Sequence, residues 1–212
     1  MDFQLIAAMF SFAFVTSATP GPNNLMLLAS GANFGFKRTI PHMLGIGCGM
    51  ILLLLVCLTG LGEIFTRLPA AQTALKLVGV LYLLWLAWKI ASAPVTEAPA
   101  NTPAENAASD QPVRTAQPLR WWQAAAFQFV NPKAWMMALG AVSSFTLAGE
   151  QYWLSGLILM LVFFLVNVPS VSIWAGFGVV IQQFLSSARR KRQFNILMGL
   201  LTAATVWMIV GV

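Results

Sequence analysis

Two short stretches of the chain set hydrogen-bonding side chains beside proline in otherwise apolar surroundings. They are Thr19-Pro20-Gly21-Pro22-Asn23-Asn24 and Gln128-Phe129-Val130-Asn131-Pro132-Lys133. These residue types do not make a nucleophile with its base; the chemistry open to them is recognition. Proline has no N–H and breaks the helix before it, which leaves carbonyl groups unpaired. In hydrocarbon those carbonyls need a ligand, a water or a neighbouring helix as partner. A helix end exposed at such a break carries partial charge, positive at an N-terminus, and can hold a carboxylate. Asparagine and glutamine add donors and acceptors together. Lys133 adds the only basic group well inside an apolar run. A small zwitterion suits such a set.

Other polar residues fall into stripes at helical spacing. Thr16, Thr19 and Asn23 form one; Gln128, Asn131 and Trp135 a second; Asn167, Ser170 and Trp174, around Pro169, a third. His42, Gly45 and Gly49 align as well, and the last two make a GxxxG contact that serves either a homodimer or an internal helix pair. Each has a plainer reading. An amide inside a span often only bridges helices, for about 0.6 kcal/mol. Lys133 can extend its ammonium to the interface, and His42, next to Pro41 near a span end, reads as interfacial. The case for a site rests on the cluster: two proline breaks with adjacent asparagines.

Several classes drop out. One histidine and two cysteines make a zinc site improbable. Cys48 and Cys57 lie in one apolar run, separated by roughly 13 Å if helical, which is beyond disulfide reach. That argues against a membrane thiol-disulfide electron carrier. A hydrolase would need an intramembrane base with its nucleophile. No Asp or Glu falls inside an apolar run, so an exporter of metal or other ions would lack ligands.

The elements that must position these groups follow from composition. Of 212 residues, 58% are hydrophobic and 8% charged, and the mean hydropathy is +0.77. A soluble surface needs about 25% charged residues, so lipid is the solvent here. A span takes about 20 apolar residues, and six candidates appear, roughly 3–32, 40–62, 73–93, 121–147, 152–182 and 194–212. The first, fourth and fifth are overlong, and each holds proline that can break or kink it: Pro20 and Pro22, Pro132, Pro169. The N-terminal run lacks a basic leader and is read as a retained span.

Residues 94–119 hold five prolines among small and polar residues and read as a flexible cytoplasmic linker with nothing to bury. It divides the chain into a first three-helix repeat, 1–93, and a second, 120–212. Three spans reverse the sense of the membrane, so the second half would be inverted. Pro22 and Pro132 interrupt the first span of each half, 110 residues apart by their numbers. Such 3+3 inverted repeats with broken helices are a transporter architecture, with the substrate at the repeat interface.

The formal charge of +6 is a topology signal and not a nucleic-acid footprint. Lys37, Arg38, Lys89, Arg114, Arg120, Arg189, Arg190, Lys191 and Arg192 flank odd-numbered loops, against Arg67 and Lys76 on the other side. The positive-inside rule makes the odd loops cytoplasmic and both termini external.

At these residues the chain resembles a known family. Thr19 to Asn23, Gly35-Phe36-Lys37-Arg38 and Gly45 to Gly49 are similar to the N-terminal signature of the LysE/RhtB amino-acid exporters. Leu83 to Ile90 resembles the end of that family's third span, and Phe129 to Trp135 its second signature. The resemblance covers everything but the linker and is nearest to the cysteine/O-acetylserine and homoserine/threonine branches. It implies an all-α, six-helix protein of the bacterial cytoplasmic membrane. Such a protein exports small amino acids or derivatives by alternating access, with lipid as surroundings, no cofactor and no enzymatic activity. The substrate-binding residues expected are Thr19, Pro20, Gly21, Pro22, Asn23, Asn24, Gln128, Asn131, Pro132, Lys133 and Asn167. The lack of a membrane carboxylate disfavours a dibasic substrate.

Overall fold

The computed structural model describes residues 2–95 and 117–207, all helix and connection with no strand among them. Most of the linker, 96–116, and the end of the last expected span, 208–212, lie outside the described residues. In order the helices are α1 (Phe3–Ala18), α2 (Pro22–Phe34), α3 (Phe36–Leu58), α4 (Leu61–Thr66), α5 (Pro69–Ala91), α6 (Trp121–Gln128), α7 (Pro132–Phe145), α8 (Tyr152–Phe184) and α9 (Ala188–Ala204).

Local chemistry sets the boundaries. Asp2 caps α1 by accepting from the Gln4 amide. Thr19 and Gly21 each precede a proline and take extended backbone, so the helix stops at Ala18 and restarts with Pro22 at its first position. The two pieces meet at 58°. Gly35, with φ of 80°, makes the turn into α3. Asn131 precedes Pro132 and caps α7, its Oδ1 accepting from the Lys133 amide at 3.2 Å.

Among the described residues, three helices are long and apolar enough to cross a membrane: α3, α5 and α8 with the turn before it; the bent pair α1–α2 makes up to four. Their outer faces carry Leu77, Leu81, Trp88, Leu161, Phe164 and Phe177, all exposed, the reverse of a water-soluble surface. The inside holds Met9, Leu53, Leu54, Ala138, Leu159 and Phe163 between α1, α3, α7 and α8.

Contacts cross between the halves. α8 lies along both α1 and α2, α3 along both α6 and α7, and α5 along α9. Gly45 and Gly49 permit the second of these. A Cβ at Gly49 would come within 2.6 Å of Ala125 O and of Gln128 Cγ, and one at Gly45 would strike Trp121 O. The GxxxG face is therefore spent on an internal pair.

Four expectations change. Pro169 neither ends nor interrupts its span: α8 runs 33 residues through it. A missing N–H removes one helical bond, which packing by α1, α2 and α3 outweighs. Arg189 to Arg192 belong to the first turns of α9 and not to a loop, under a Ser187 cap. Leu119, in the stretch read as having nothing to bury, packs with Met26, Leu83, Leu86 and Phe127. His42, read as interfacial, is only 1% exposed and lies covered by neighbouring helices, lining a cavity with Ser30 and Asn33 of α2 and Leu86 of α5.

Candidate functional site

The end of α1 leaves carbonyls that no helical N–H can reach. Side chains from three other helices take them. Asn24 Nδ2 of α2 donates to Ser17 O at 2.9 Å and to Thr19 O at 2.8 Å. Trp174 Nε1 of α8 donates to Ala18 O at 3.2 Å. Lys133 Nζ of α7 donates to Thr19 O at 2.7 Å, Thr19 Oγ1 at 2.9 Å and Pro20 O at 3.3 Å. A cation thus rests on the negative end of a helix. All of its partners are carbonyl or hydroxyl oxygens; no carboxylate is among them.

The second interruption, Phe129–Asn131, faces the first. Asn23 Nδ2 donates to Gln128 Oε1 at 2.8 Å, and Gln128 Nε2 donates back to Asn23 Oδ1 at 3.2 Å. The same Nε2 also reaches Ala124 O at 2.9 Å, which fixes the amide's orientation. Trp135 Nε1 donates to Phe129 O at 2.9 Å, taking a carbonyl left over from α6. Gly21 is tightly fitted here, since a Cβ would meet Lys133 Cδ at 2.9 Å.

Between the interruptions lies a cavity of about 40 Å³, room for two or three waters. Gly21, Asn23, Asn24, Gln128, Asn131, Lys133 and Asn167 all line it, so seven of the expected residues converge. Thr19, Pro20, Pro22 and Pro132 do not; they face an adjoining space of about 430 Å³ that shares only Thr16, Asn131, Lys133 and Met137 with the first. The stripes drawn at helical spacing fail in detail. Thr16 and Asn23 belong to different helices, as do Gln128 and Trp135, because α1 and α6 stop between them. Thr16 and Asn23 still meet at the cavity wall.

One polar group was missed. Ser17 lines the cavity, and its buried Oγ has no hydrogen-bond partner among the described residues. Its place in Thr16-Ser17-Ala18-Thr19, directly before the proline pair, was the available signal. The remaining wall is apolar: Ile46, Met50 and Val171 among others. Among the described residues no three of His, Cys, Asp or Glu come together as metal ligands would. The set offers amide donors and acceptors, two hydroxyls, one ammonium and two helix N-termini, groups suited to hydrogen-bonding a small polar molecule.

Comparison with known proteins agrees with this picture. A family described as LysE type translocator matches residues 14–211. The cysteine/O-acetylserine efflux proteins of Salmonella paratyphi A and Salmonella typhi are each 31% identical over 200 residues, covering 93% of this chain and 93% of their own. The protein of the same name from Escherichia coli O1:K1 is 30% identical over 199 residues, again 93% of each chain. No solved structure matches the chain.

Proposed function

The chain belongs to the LysE type translocator family, and from that premise we propose that it is a secondary exporter of small neutral amino acids, with cysteine and O-acetylserine, named for its relatives, as the first substrates to test. The observation that carries the reading is the meeting of two helix interruptions around one cavity whose described lining holds Lys133, five side-chain amides and no carboxylate.

In this reading Lys133 Nζ and the backbone amides that follow Pro22 at the start of α2 receive the substrate carboxylate. The oxygens of Asn23, Gln128 and Asn167, with the hydroxyl of Ser17, receive its ammonium. The side chain lies against Ile46, Met50 and Val171, which suits a short uncharged group. A cationic side chain would find no counter-charge there, which disfavours lysine-like substrates. The expected set Thr19, Pro20, Gly21, Pro22, Asn23, Asn24, Gln128, Asn131, Pro132, Lys133 and Asn167 divides into this inner group and an outer one along the adjoining space.

The architecture we propose is six spans: α1 with α2, α3, α5, α6 with α7, α8, and α9. They form inverted repeats over 1–93 and 120–212 joined by the linker 94–119. The cross-packing supports it, because the second-span helix of each half lies along the interrupted pair of the other half, and the third spans lie on one another. Charge supports the orientation, with the Lys37–Arg38 and Arg189–Arg192 ends cytoplasmic and the termini outside. The larger space then extends from the cavity along Phe12 and Gly140 toward the outer face, as an exit does. In this reading alternating access exposes the cavity first to one face of the membrane and then to the other.

Efflux of labelled cysteine and O-acetylserine from cells expressing the wild type, Asn23→Ala or Asn131→Ala tests the reading. Wild-type export lost in both variants at equal membrane abundance supports it. Normal export by both variants refutes the site, and no wild-type export of either compound refutes the substrate class.

A further inference from the structure

A second cavity, of about 70 Å³, lies one helical turn from the first. On α2, Met26 lines this cavity and Asn23 the central one; on α3, His42 lines this one and Ile46 the central one. Separations of three and four residues put the two about 5.4 Å apart along shared walls. The second cavity lies toward the Gly35 turn and is bounded by Ala93 and Leu119, on the side where Lys37, Arg38 and Lys89 gather.

Its polar groups are unfinished. His42 is 1% exposed, and neither ring nitrogen has a hydrogen-bond partner among the described residues. A neutral imidazole buried without partners leaves one donor and one acceptor unpaired, which is costly unless a ligand or water completes them. Ser30 and Asn33 add acceptors. Thr39 Oγ1 donates to Gly35 O at 2.9 Å, so the proton in its 2.9 Å contact with Ser30 comes from Ser30 and leaves that oxygen's lone pairs free. Asn33 spends its Nδ2 on Ala29 O and Asn195 Oδ1, which leaves its own Oδ1 to accept. Among the described residues Lys89 is the one cation at the wall, and no acid lines it.

From this complement we infer that the cavity is a second, cytoplasm-facing binding site for the same zwitterionic amino acid, an inlet subsite where His42 and Lys89 take the carboxylate while Ser30 and Asn33 take the ammonium. The inference rests on the exporter reading above. Substrate held there stands one turn from the central amides, and the central cavity shares Thr16, Asn131, Lys133 and Met137 with the outer space, so the inlet reading orders the three as entry, centre and exit.

The test uses labelled O-acetyl-L-serine with inside-out membrane vesicles, in which export appears as uptake. His42→Leu is expected to raise the apparent KM about tenfold with Vmax within twofold. His42→Asn, which restores a neutral donor and acceptor, should return KM to within about threefold of wild type. In a Cys48→Ser/Cys57→Ser background, N-ethylmaleimide labelling of Ala93→Cys should slow at least fivefold with O-acetyl-L-serine. That protection should vanish on adding His42→Leu and persist on adding Asn131→Ala, a substitution of the central site. Unchanged KM and undiminished protection in His42→Leu overturn the inlet while leaving the exporter intact. Protection without any wild-type uptake keeps the binding site and overturns the exporter reading. If His42→Leu fails to reach the membrane, Lys89→Met against wild type decides by the same two readouts; unchanged KM and undiminished protection there overturn the inlet.

Discussion

Replacing Lys133 by methionine keeps the stem's length and apolar contacts and removes only the ammonium. In the structure that ammonium donates three times: to Thr19 O at 2.7 Å, Thr19 Oγ1 at 2.9 Å and Pro20 O at 3.3 Å. The losses are unequal. Thr19 O keeps its bond from Asn24 Nδ2 at 2.8 Å, whereas Pro20 O is left with no donor among the described residues. Pro20 is exposed, so a water can replace the lost donor and the loss is nearer the net worth of one hydrogen bond, about 0.5–1.5 kcal/mol; purified Lys133→Met should unfold at a slightly lower temperature than wild type. Transport should suffer separately. A hydrogen bond to a charged group is worth about 1.5–3 kcal/mol, and losing about 2 kcal/mol of carboxylate binding weakens substrate about 30-fold. Initial efflux rates of labelled cysteine, over a range of cytosolic concentrations and normalised to membrane abundance, read this directly. Lys133→Arg restores the charge and should recover part of the stability, though its planar head fits the three oxygens less well. Export by Lys133→Met within threefold of wild type, with unchanged concentration dependence, would falsify the role given to this ammonium. A lowered unfolding temperature alone would leave Lys133 a helix cap and nothing more.

Asn23→Ala and Gln128→Ala should be non-additive: the reciprocal pair predicts a coupling of about 1 kcal/mol, read by reversible unfolding of both singles and the double in mixed micelles, and strict additivity would mean that the two amides are not bonded. Gly49→Val should force α3 off α6 and lower stability by about 1–3 kcal/mol or prevent insertion, since even a Cβ meets Ala125 O at 2.6 Å. Gly176→Ala is its control, because a Cβ there meets nothing within 4 Å; equal thermal shifts in the two would refute the close-packing argument.

The helix interruptions were legible because proline acts locally. Thr19 and Asn131 are committed to extended backbone by the residue that follows each, whatever the rest of the chain does. The identity of the cavity's polar residues was legible too, since amides and a lysine in apolar runs have few other uses. Their pairing was not. Asn23 and Gln128 are 105 residues apart, and periodicity within one helix says nothing about which amide on another meets it. Worse, the stripes assumed continuous helices across Pro20 and Pro132, and the bend sends Thr16 and Asn23 to the cavity from different directions. The burial of His42 was missed for a related reason: a place near a span end does not say which neighbours cover it, and residues of α2 and α5 from elsewhere in the chain do so. Pro169 shows the converse, for a proline signal alone cannot reveal whether neighbouring helices hold the broken bond in line.

The end of α1 is sewn to the rest of the molecule by stitches from three helices: Asn24 of α2, Trp174 of α8 and Lys133 of α7. The gap between α1 and α2 is therefore a socket and not a loose joint. Asn24 and Trp174 ride on elements that pack along α1 and α2, while Lys133 reaches over from the other interruption. In the alternating-access reading proposed above, the two interruptions move apart and the Lys133 stitch is the one that parts, leaving its ammonium in want of acceptors that an arriving carboxylate supplies. Loading and unlocking would then be the same exchange of partners at one nitrogen atom.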